Sequence, residues 1–322
     1  MMALAAEVAG GVRTRSGYTV GDCLGDWLCS LRGRSASTVS NYTRMAEHLR
    51  PQLGRILLCD LTARQVADVL AEIAPQVSAR SLRLIHRTLV RSIRRAEVDG
   101  LAGRNVAAVI KLSDLGVTGR PGRPSKSLDL AEAMAVLHAA AGSPLDAYVV
   151  LSLLTGARTE ELRALQWADV DLTAGVLSVT RSVRDAGKLK TIKSRRRLAL
   201  PALAVAALKR HKLAQARARR EAGELWKEHD LVFCDPLGAE LTPDAVRAGF
   251  RKITRAAGIG AGWTPRELRH SFVSLLAADG MPVGTIAALA GHTGSRITES
   301  VYLHQVDVQT AHVAAFDRLL GR

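Results

Sequence analysis

Residues 79–98 read ARSLRLIHRTLVRSIRRAEV, and two residue classes in this stretch keep separate registers. Arg80, Arg83, Arg87, Arg91 and Arg94 recur at steps of three and four, while Leu82, Ile85, Leu89 and Ile93 recur at similar steps beside them. At about 100° per residue, such spacing gathers the arginines on one face of a helix and the apolar residues on another. The sequence therefore predicts an amphipathic helix over 79–98 that buries an aliphatic stripe and shows an arginine stripe to its surroundings. With almost no acid in the stretch to balance it, that stripe suits a polyanion better than bulk solvent.

Outward from this helix the same periodicity continues. Helical blocks are predicted over 20–31, 37–53 and 62–74, with N-caps in the Ser-Ala-Ser-Thr run before Val39 and at Thr62, and stops at Gly54 and Gly100. Residues 17–113 thus form a small helical domain, and residues 1–16, which lack a periodic pattern, read as a flexible start. Residues 114–126, DLGVTGRPGRPSK, hold three Gly and two Pro with almost no apolar content, which is linker composition. The second domain spans 127–322. Helices are predicted there over 128–141, 145–154, 159–166, 203–221, 243–257, 265–279, 282–290 and 308–320. Two β-like runs, 176–183 and 189–200, flank Arg184-Asp185-Ala186-Gly187 and read as a hairpin closed by Pro201. The fold class is mainly α, in two domains, with a small β-hairpin in the second.

Charge and composition narrow the function. The 322-residue chain carries 45 Lys plus Arg against 30 Asp plus Glu, a net +15, with a sequence pI near 10.4. An acidic solvating protein is excluded, and a hydrophobic content of 48% excludes a disordered one. Between Arg181 and Arg220 stand 14 basic residues and one acid, Asp185, so most of the net charge sits in 40 residues. Of the 45 basic residues 36 are Arg, which suits planar, two-pronged contacts to phosphate. No secretory signal or membrane-length apolar run is present, so a cytoplasmic, nucleoid-associated protein with no membrane partner is expected. Cys23, Cys29, Cys59 and Cys234 show no CxxC pair. They read as reduced, mostly packed thiols, with neither metal nor disulfide.

Four segments of the second domain belong together: Thr155-Gly156-Ala157-Arg158-Thr159-Glu160-Glu161-Leu162, Lys190-Thr191 in the hairpin, Thr264-Pro265-Arg266-Glu267-Leu268-Arg269-His270, and Gly291-His292 followed by Tyr302. In this order and spacing they resemble the tyrosine recombinases, also called phage-type integrases. The resemblance covers nearly the whole chain, because that family also has a small helical core-binding domain, a linker, and a mostly helical catalytic domain with an inserted hairpin.

The resemblance implies roles. Arg158, in the GxRxxEL box, and Arg269, in the HxxR box, would hold the scissile phosphate; two guanidinium forks can stabilise a doubly charged pentacoordinate transition state without a metal. Glu161 would orient Arg158 from one helical turn away. Tyr302 would be the nucleophile, attacking phosphorus to leave a 3′-phosphotyrosyl bond and a free 5′-hydroxyl, with no ATP and no cofactor. Lys190, in KTIKSRRRLALP, aligns with the lysine that protonates the leaving oxygen, and Lys193 is the competing choice. His292 matches a position that hydrogen-bonds a non-bridging oxygen. The family's usual His stands replaced by Arg266, which can bind phosphate but cannot exchange a proton near neutral pH. His270 reads as a packing residue.

The resemblance implies a site-specific DNA recombinase that integrates or excises a mobile element, acting on double-stranded sites as two chains per site and four per synapse, with a directionality factor as a further partner. The stripe from Arg80 to Arg94, with Lys193, Arg195, Arg196 and Arg197, would contact DNA. The alternatives are a Xer-like chromosome-dimer resolvase, favoured by the shortness of the stretch before residue 17, and a catalytically inactive DNA-binding relative, suggested by Arg266. The helix over 308–320 would often pack, in this family, on a neighbouring protomer; docking within its own chain is the other reading.

Overall fold

The computed structural model describes residues 17–116, 119–120, 126–183, 195–291, 308–309 and 311–321. The segment 1–16, read as a flexible start, lies outside them. The chain divides between Pro124 and Ser125 into two compact units.

In the first unit the described helices are α1 (Val20–Ser30), α2 (Ala36–Glu47), α3 (Arg50–Leu53), α4 (Ala63–Ile73) and α5 (Ala79–Val98). Local chemistry starts them: Thr19 and Asp22 form a capping box on α1, Thr62 and Gln65 another on α4, and Ser35 and Ser78 accept backbone N–H groups at the starts of α2 and α5. On α5 Leu82, Ile85, Leu89 and Ile93 are buried with Val20, Leu24, Leu49, Leu53, Val66 and Leu70, while all five stripe arginines are exposed. Burying each of those aliphatic side chains is worth roughly 1.5–3 kcal/mol, so the core fixes which face of α5 turns outward.

One expectation is corrected here. The block 37–53 is two helices: Pro51 has no backbone N–H and fits only a first helical turn, so the chain stops at Glu47 and restarts as α3 with Pro51 in that turn. Within residues 114–126, Arg120 bonds back to the start of α5. Arg120 N–H donates to the Val77 carbonyl (2.8 Å), Ala79 N–H donates to the Arg120 carbonyl (2.9 Å), and Arg120 Nε donates to the Pro75 carbonyl (2.5 Å). Gly119 makes this approach possible: at φ +63° a Cβ would lie 2.9 Å from Ala79 backbone atoms.

The second unit is built around α7 (Asp146–Thr155), whose residues 147–155 are all buried. It follows α6 (Leu130–Ala140), and α9 (Ala202–Ala222) and α11 (Pro265–Ala278) pack against it. A helix apolar all round must be enclosed on all sides. The remaining helices are α8 (Thr159–Arg163), α10 (Pro243–Ala256), α12 (Val283–Ala290) and α13 (Ala311–Leu319). Strands β1 (Val170–Asp171), β2 (Val176–Val179), β3 (Arg196–Ala199) and β4 (Val308–Gln309) make one sheet in the order β1-β2-β3-β4. The first two pairings are antiparallel, with Val179 opposite Arg196 and Val176 opposite Ala199, and β3–β4 is parallel, with Arg197 opposite Val308. The first hairpin strand ends at Val179, short of the predicted 183, and residues 184–194 lie outside the described ones.

The C-terminal piece is also corrected. Val308 and Gln309 leave the predicted helix to pair with β3, where backbone bonds to a sheet edge replace helical ones. Helix α13 then docks within its own chain: Ala315 and Phe316 are core residues, Phe316 stacks on Phe272 (centroids 5.8 Å apart), and Arg318 pairs with Asp279 at 2.7 Å. Among the thiols, Cys29 and Cys59 are exposed, against the expectation of mostly packed ones.

His312 on α13 is fully buried, edge-on to Phe272 at 6.2 Å. Burial lowers its pKa to about 4, with the Ala199 backbone working the other way. A histidine neutral when docked and titrating near 6.5 when released stabilises docking fully above about pH 6.5, and that contribution is lost as pH falls toward 4. Amide-exchange protection of 311–319 should fall by about tenfold from pH 7 to pH 5 relative to α7, and His312→Leu should abolish the dependence. Equal pH response in the variant would contradict this.

Candidate active site

The site begins where α7 ends. Gly156 takes a left-handed conformation (φ +60°), and a Cβ there would lie 2.5 Å from the Phe272 ring, so the reversal requires glycine. Two residues later Arg158 is the N-cap of α8. Glu161, one turn on, accepts the Arg158 backbone N–H at 2.8 Å and the Arg158 guanidinium (Nη1 to Oε1) at 2.7 Å. A carboxylate in a first helical turn serves the unsatisfied N–H groups there, so local helix chemistry alone turns Glu161 back toward Arg158.

A second arginine closes on the same carboxylate. Arg196 on β3 donates Nη2 to Glu161 Oε2 at 2.9 Å and Nη1 to Oε1 at 3.4 Å. Both side chains are only 3% exposed, whereas Arg158 is 30% exposed. Burial pushes the Glu161 pKa up, but Arg196 and then Arg158 outweigh it, so the carboxyl is held below its ordinary range.

Arg269 enters from α11. Its Nη1 donates to the Gly156 carbonyl at 2.5 Å, and its buried Nη2 has no acceptor among the described residues. Arg158 Nη2 likewise donates to the Gly291 carbonyl at 2.8 Å, at the left-handed end of α12 (φ +65°). The last carbonyls of two helices thus orient the two guanidinium groups. Burial, then Arg158 and Arg196, destabilise charge on Arg269, and Glu161 alone favours it. Three guanidinium groups around one carboxylate leave a local excess of positive charge. That arrangement is suited to an anion with several oxygens, phosphate above all.

The structure thus brings Arg158, Glu161 and Arg269 together. Arg266 lies exposed in the first turn of α11, on the same helix as Arg269. His270 is half-buried, its pKa lowered by burial and by Arg266. Lys190, Lys193, His292 and Tyr302 lie outside the described residues. In the basic run Arg195 and Arg197 are exposed, but Arg196 is not the surface contact the sequence reading made it. Strand alternation is the reason: Arg196 shares the inward face with Leu198 and Leu200, and the period-two pattern was the signal that marks it. Arg80, Arg83, Arg87, Arg91 and Arg94 are exposed in the other unit. Among the described residues there is no cluster of potential metal ligands and no helix long and apolar enough to cross a membrane.

Comparison with known proteins adds to this geometry. A sequence profile of the Phage integrase family matches residues 126–308. An integrase of Streptomyces ambofaciens is 46% identical over 304 residues, covering 90% of this chain and 77% of the relative. The tyrosine recombinase XerD of Mycobacterium tuberculosis (strain H37Rv) is 29% identical over 299 residues, covering 85% of this chain and 89% of the relative. Among solved structures, the Tn1549 transposon integrase in complex with circular intermediate DNA superposes with a TM-score of 0.72 at 17% identity, covering 88% of this chain and 97% of that one. A lambda integrase tetramer bound to a Holliday junction gives 0.65 at 21% identity, with 88% and 80% covered. At those identities the structural likeness speaks for the fold.

The buried ion triple makes a test of its own. Glu161→Gln leaves Arg196 and Arg158 without the charge that offsets their burial, and should lower unfolding stability by about 3 kcal/mol at pH 7. A folded-state carboxyl pKa below the ordinary value stabilises above about pH 4.5 and loses that contribution as pH falls through the folded pKa. The variant should therefore show a shallower acid limb in urea unfolding between pH 5 and 3. An unchanged limb would contradict the assigned ion triple.

Proposed function

The chain belongs to the phage integrase family, a family of enzymes that cut and rejoin DNA, and from this we propose a site-specific recombinase that moves a mobile element through a 3′-phosphotyrosyl intermediate. The observation that carries the reading is the pair Arg158 and Arg269: each is held by a helix-terminal glycine carbonyl, and Arg269 keeps a buried donor that no described residue accepts. In the proposed reaction both guanidinium groups bind non-bridging oxygens of one phosphodiester. Their charge stabilises the pentacoordinate transition state in place of a metal.

Tyr302 Oη gives up its proton to water, forms the bond to phosphorus, and the bond from phosphorus to the 5′-oxygen breaks. Lys190 delivers a proton to that 5′-oxygen, as the lysine it aligns with does in the family. Lys193 is the competing donor. Arg266 contributes charge and hydrogen bonds to the phosphate but no proton, and His292 donates to a non-bridging oxygen. Rejoining reverses the step, with a 5′-hydroxyl attacking the phosphotyrosine, so bond energy is conserved and no cofactor is consumed.

The DNA partner would be a double-stranded recombination site, with two chains per site and four in the synapse, as lambda integrase is seen as a dimer on a core site and a tetramer on a Holliday junction. A directionality factor and a cytoplasmic, nucleoid-associated location complete the proposal. Residues 17–113 would bind the core site through α5, and the rest of the chain would carry the chemistry. Similarity at 46% identity to an integrase, against 29% to a tyrosine recombinase named XerD, favours integration and excision over the Xer-like alternative.

A nicked duplex carrying the chain's recombination site should trap the wild-type chain covalently. Tyr302→Phe should bind that duplex and form no adduct, and an adduct in this variant would contradict the nucleophile. Wild-type binding without any adduct would favour an inactive DNA-binding relative. Lys190→Ala should fail on an ordinary phosphodiester and be rescued by a 5′-bridging phosphorothiolate, whose leaving thiolate needs no proton. Rescue confined to Lys193→Ala would move the general acid there.

A further inference from the structure

One arginine of the α5 stripe differs from the others in what holds it. Arg80, Arg83 and Arg87 have no side-chain partner among the described residues, and Arg94 pairs with the Glu97 carboxylate at 3.3 Å. Arg91 instead lies over the ring of Tyr42, its Cζ 5.7 Å from the centroid, and donates Nη1 to the Tyr42 hydroxyl. Tyr42 is on α2 and is itself fixed: its ring meets Trp27 edge-on, with centroids 5.0 Å apart, and Trp27 belongs to the buried core at 6% exposure. A chain of contacts therefore runs from the core through Trp27 and Tyr42 to a guanidinium exposed on the outer face of α5.

The chemistry of this clamp matters more than its existence. A carboxylate would hold Arg91 equally well but would cancel its charge, as Glu97 does for Arg94. A phenol and an aromatic face hold it while leaving the charge intact, and only one of its five N–H donors is engaged. The plane of the guanidinium is set before any partner arrives, so less side-chain freedom is lost on binding. A phosphate accepts a cation from many directions, and a freely moving arginine or lysine serves it. A base edge presents two acceptors in fixed positions, as guanine does with O6 and N7, and rewards a pre-set planar fork.

Resting on the recombinase reading above, we propose that Arg91 is the base-reading residue of this helix, that Tyr42 is its positioning residue, and that Arg80, Arg83 and Arg87 track phosphates. The division follows from the partners: a locked, uncompensated fork beside unlocked ones. It also explains why α2, which contributes no arginine to the stripe, carries its tyrosine toward that helix. Nearby on α2, Arg44 Nη2 donates to Asn41 Oδ1 at 2.9 Å, so the surface that Tyr42 borders is polar beyond Arg91.

The test is selection of bound duplexes from a pool with a randomised core, using the full chain and four variants. Arg91→Lys and Tyr42→Ala should flatten the preference at the same one or two base positions and lower specific over non-specific affinity by about tenfold. Tyr42→Phe, which keeps the ring and loses only the hydroxyl, should shift the same positions less, and it keeps the test open where Tyr42→Ala fails to fold. Arg87→Lys should leave the selected sequence unchanged. If Arg91→Lys left every position intact, or weakened all sequences equally with a shallower salt dependence, Arg91 would be a phosphate contact and the assignment would be overturned. A wild-type chain that enriched no sequence would overturn the recombinase reading and this assignment with it, a result distinct from a selected sequence that the variants leave untouched.

Discussion

The Glu161 carboxylate lies almost wholly out of water between the guanidinium groups of Arg158 and Arg196, and the geometry of the second unit's site depends on that contact. Removing an ionised carboxylate from water costs several kcal/mol, and only close, hydrogen-bonded opposite charge offsets it. Here the offset comes from two directions at once. Arg158 arrives from the start of α8 and Arg196 from the inward face of β3, so one carboxylate ties a helix start to a sheet strand. The same contact fixes where the half-exposed Arg158 points, because a side chain held at one nitrogen by Glu161 and at the other by the Gly291 carbonyl has little freedom left.

The fold serves that contact. Helix α7 is buried on every side, and its only conspicuous chemical product is its end, where Gly156 turns the chain and offers a carbonyl to Arg269. Gly291 does the same for Arg158 at the end of α12, and a Cβ at that position would come within 3.1 Å of Arg196 Nη1. Gly156 therefore leaves room for the Phe272 ring and Gly291 for Arg196, and the carbonyls of both orient arginines. Arg266 stands exposed in the first turn of α11, the helix that also carries Arg269.

Much of this was readable in the chain. The arginine and aliphatic registers of 79–98 gave α5 its bounds, because a helix with one apolar stripe and a serine cap has few other ways to satisfy itself. The GxRxxEL and HxxR boxes pointed to Arg158, Glu161 and Arg269, which do meet. What stayed hidden depended on partners distant in sequence. Arg196 looked like one more basic surface residue until strand alternation placed it on the face of Leu198. Val308 and Gln309 continued a helical pattern, yet the open edge of β3 drew them into a parallel strand. The cis docking of α13 rests on Phe316 against Phe272, a contact that no periodicity reveals. Pro51 was visible, and its effect in splitting the helix over 37–53 follows from its missing N–H alone.

The central claim is that Arg158 and Arg269, set by Glu161 and by two glycine carbonyls, converge on one phosphate. It is tested most directly by a crystal structure of the chain on a nicked recombination site with vanadate closing the gap. The account predicts that Arg158 and Arg269 Nη2 both lie within hydrogen-bond distance of non-bridging oxygens on the same vanadium, with Glu161 still bonded to Arg196. Vanadate held by exposed arginines alone, with Arg269 Nη2 making no contact to it, would contradict the account.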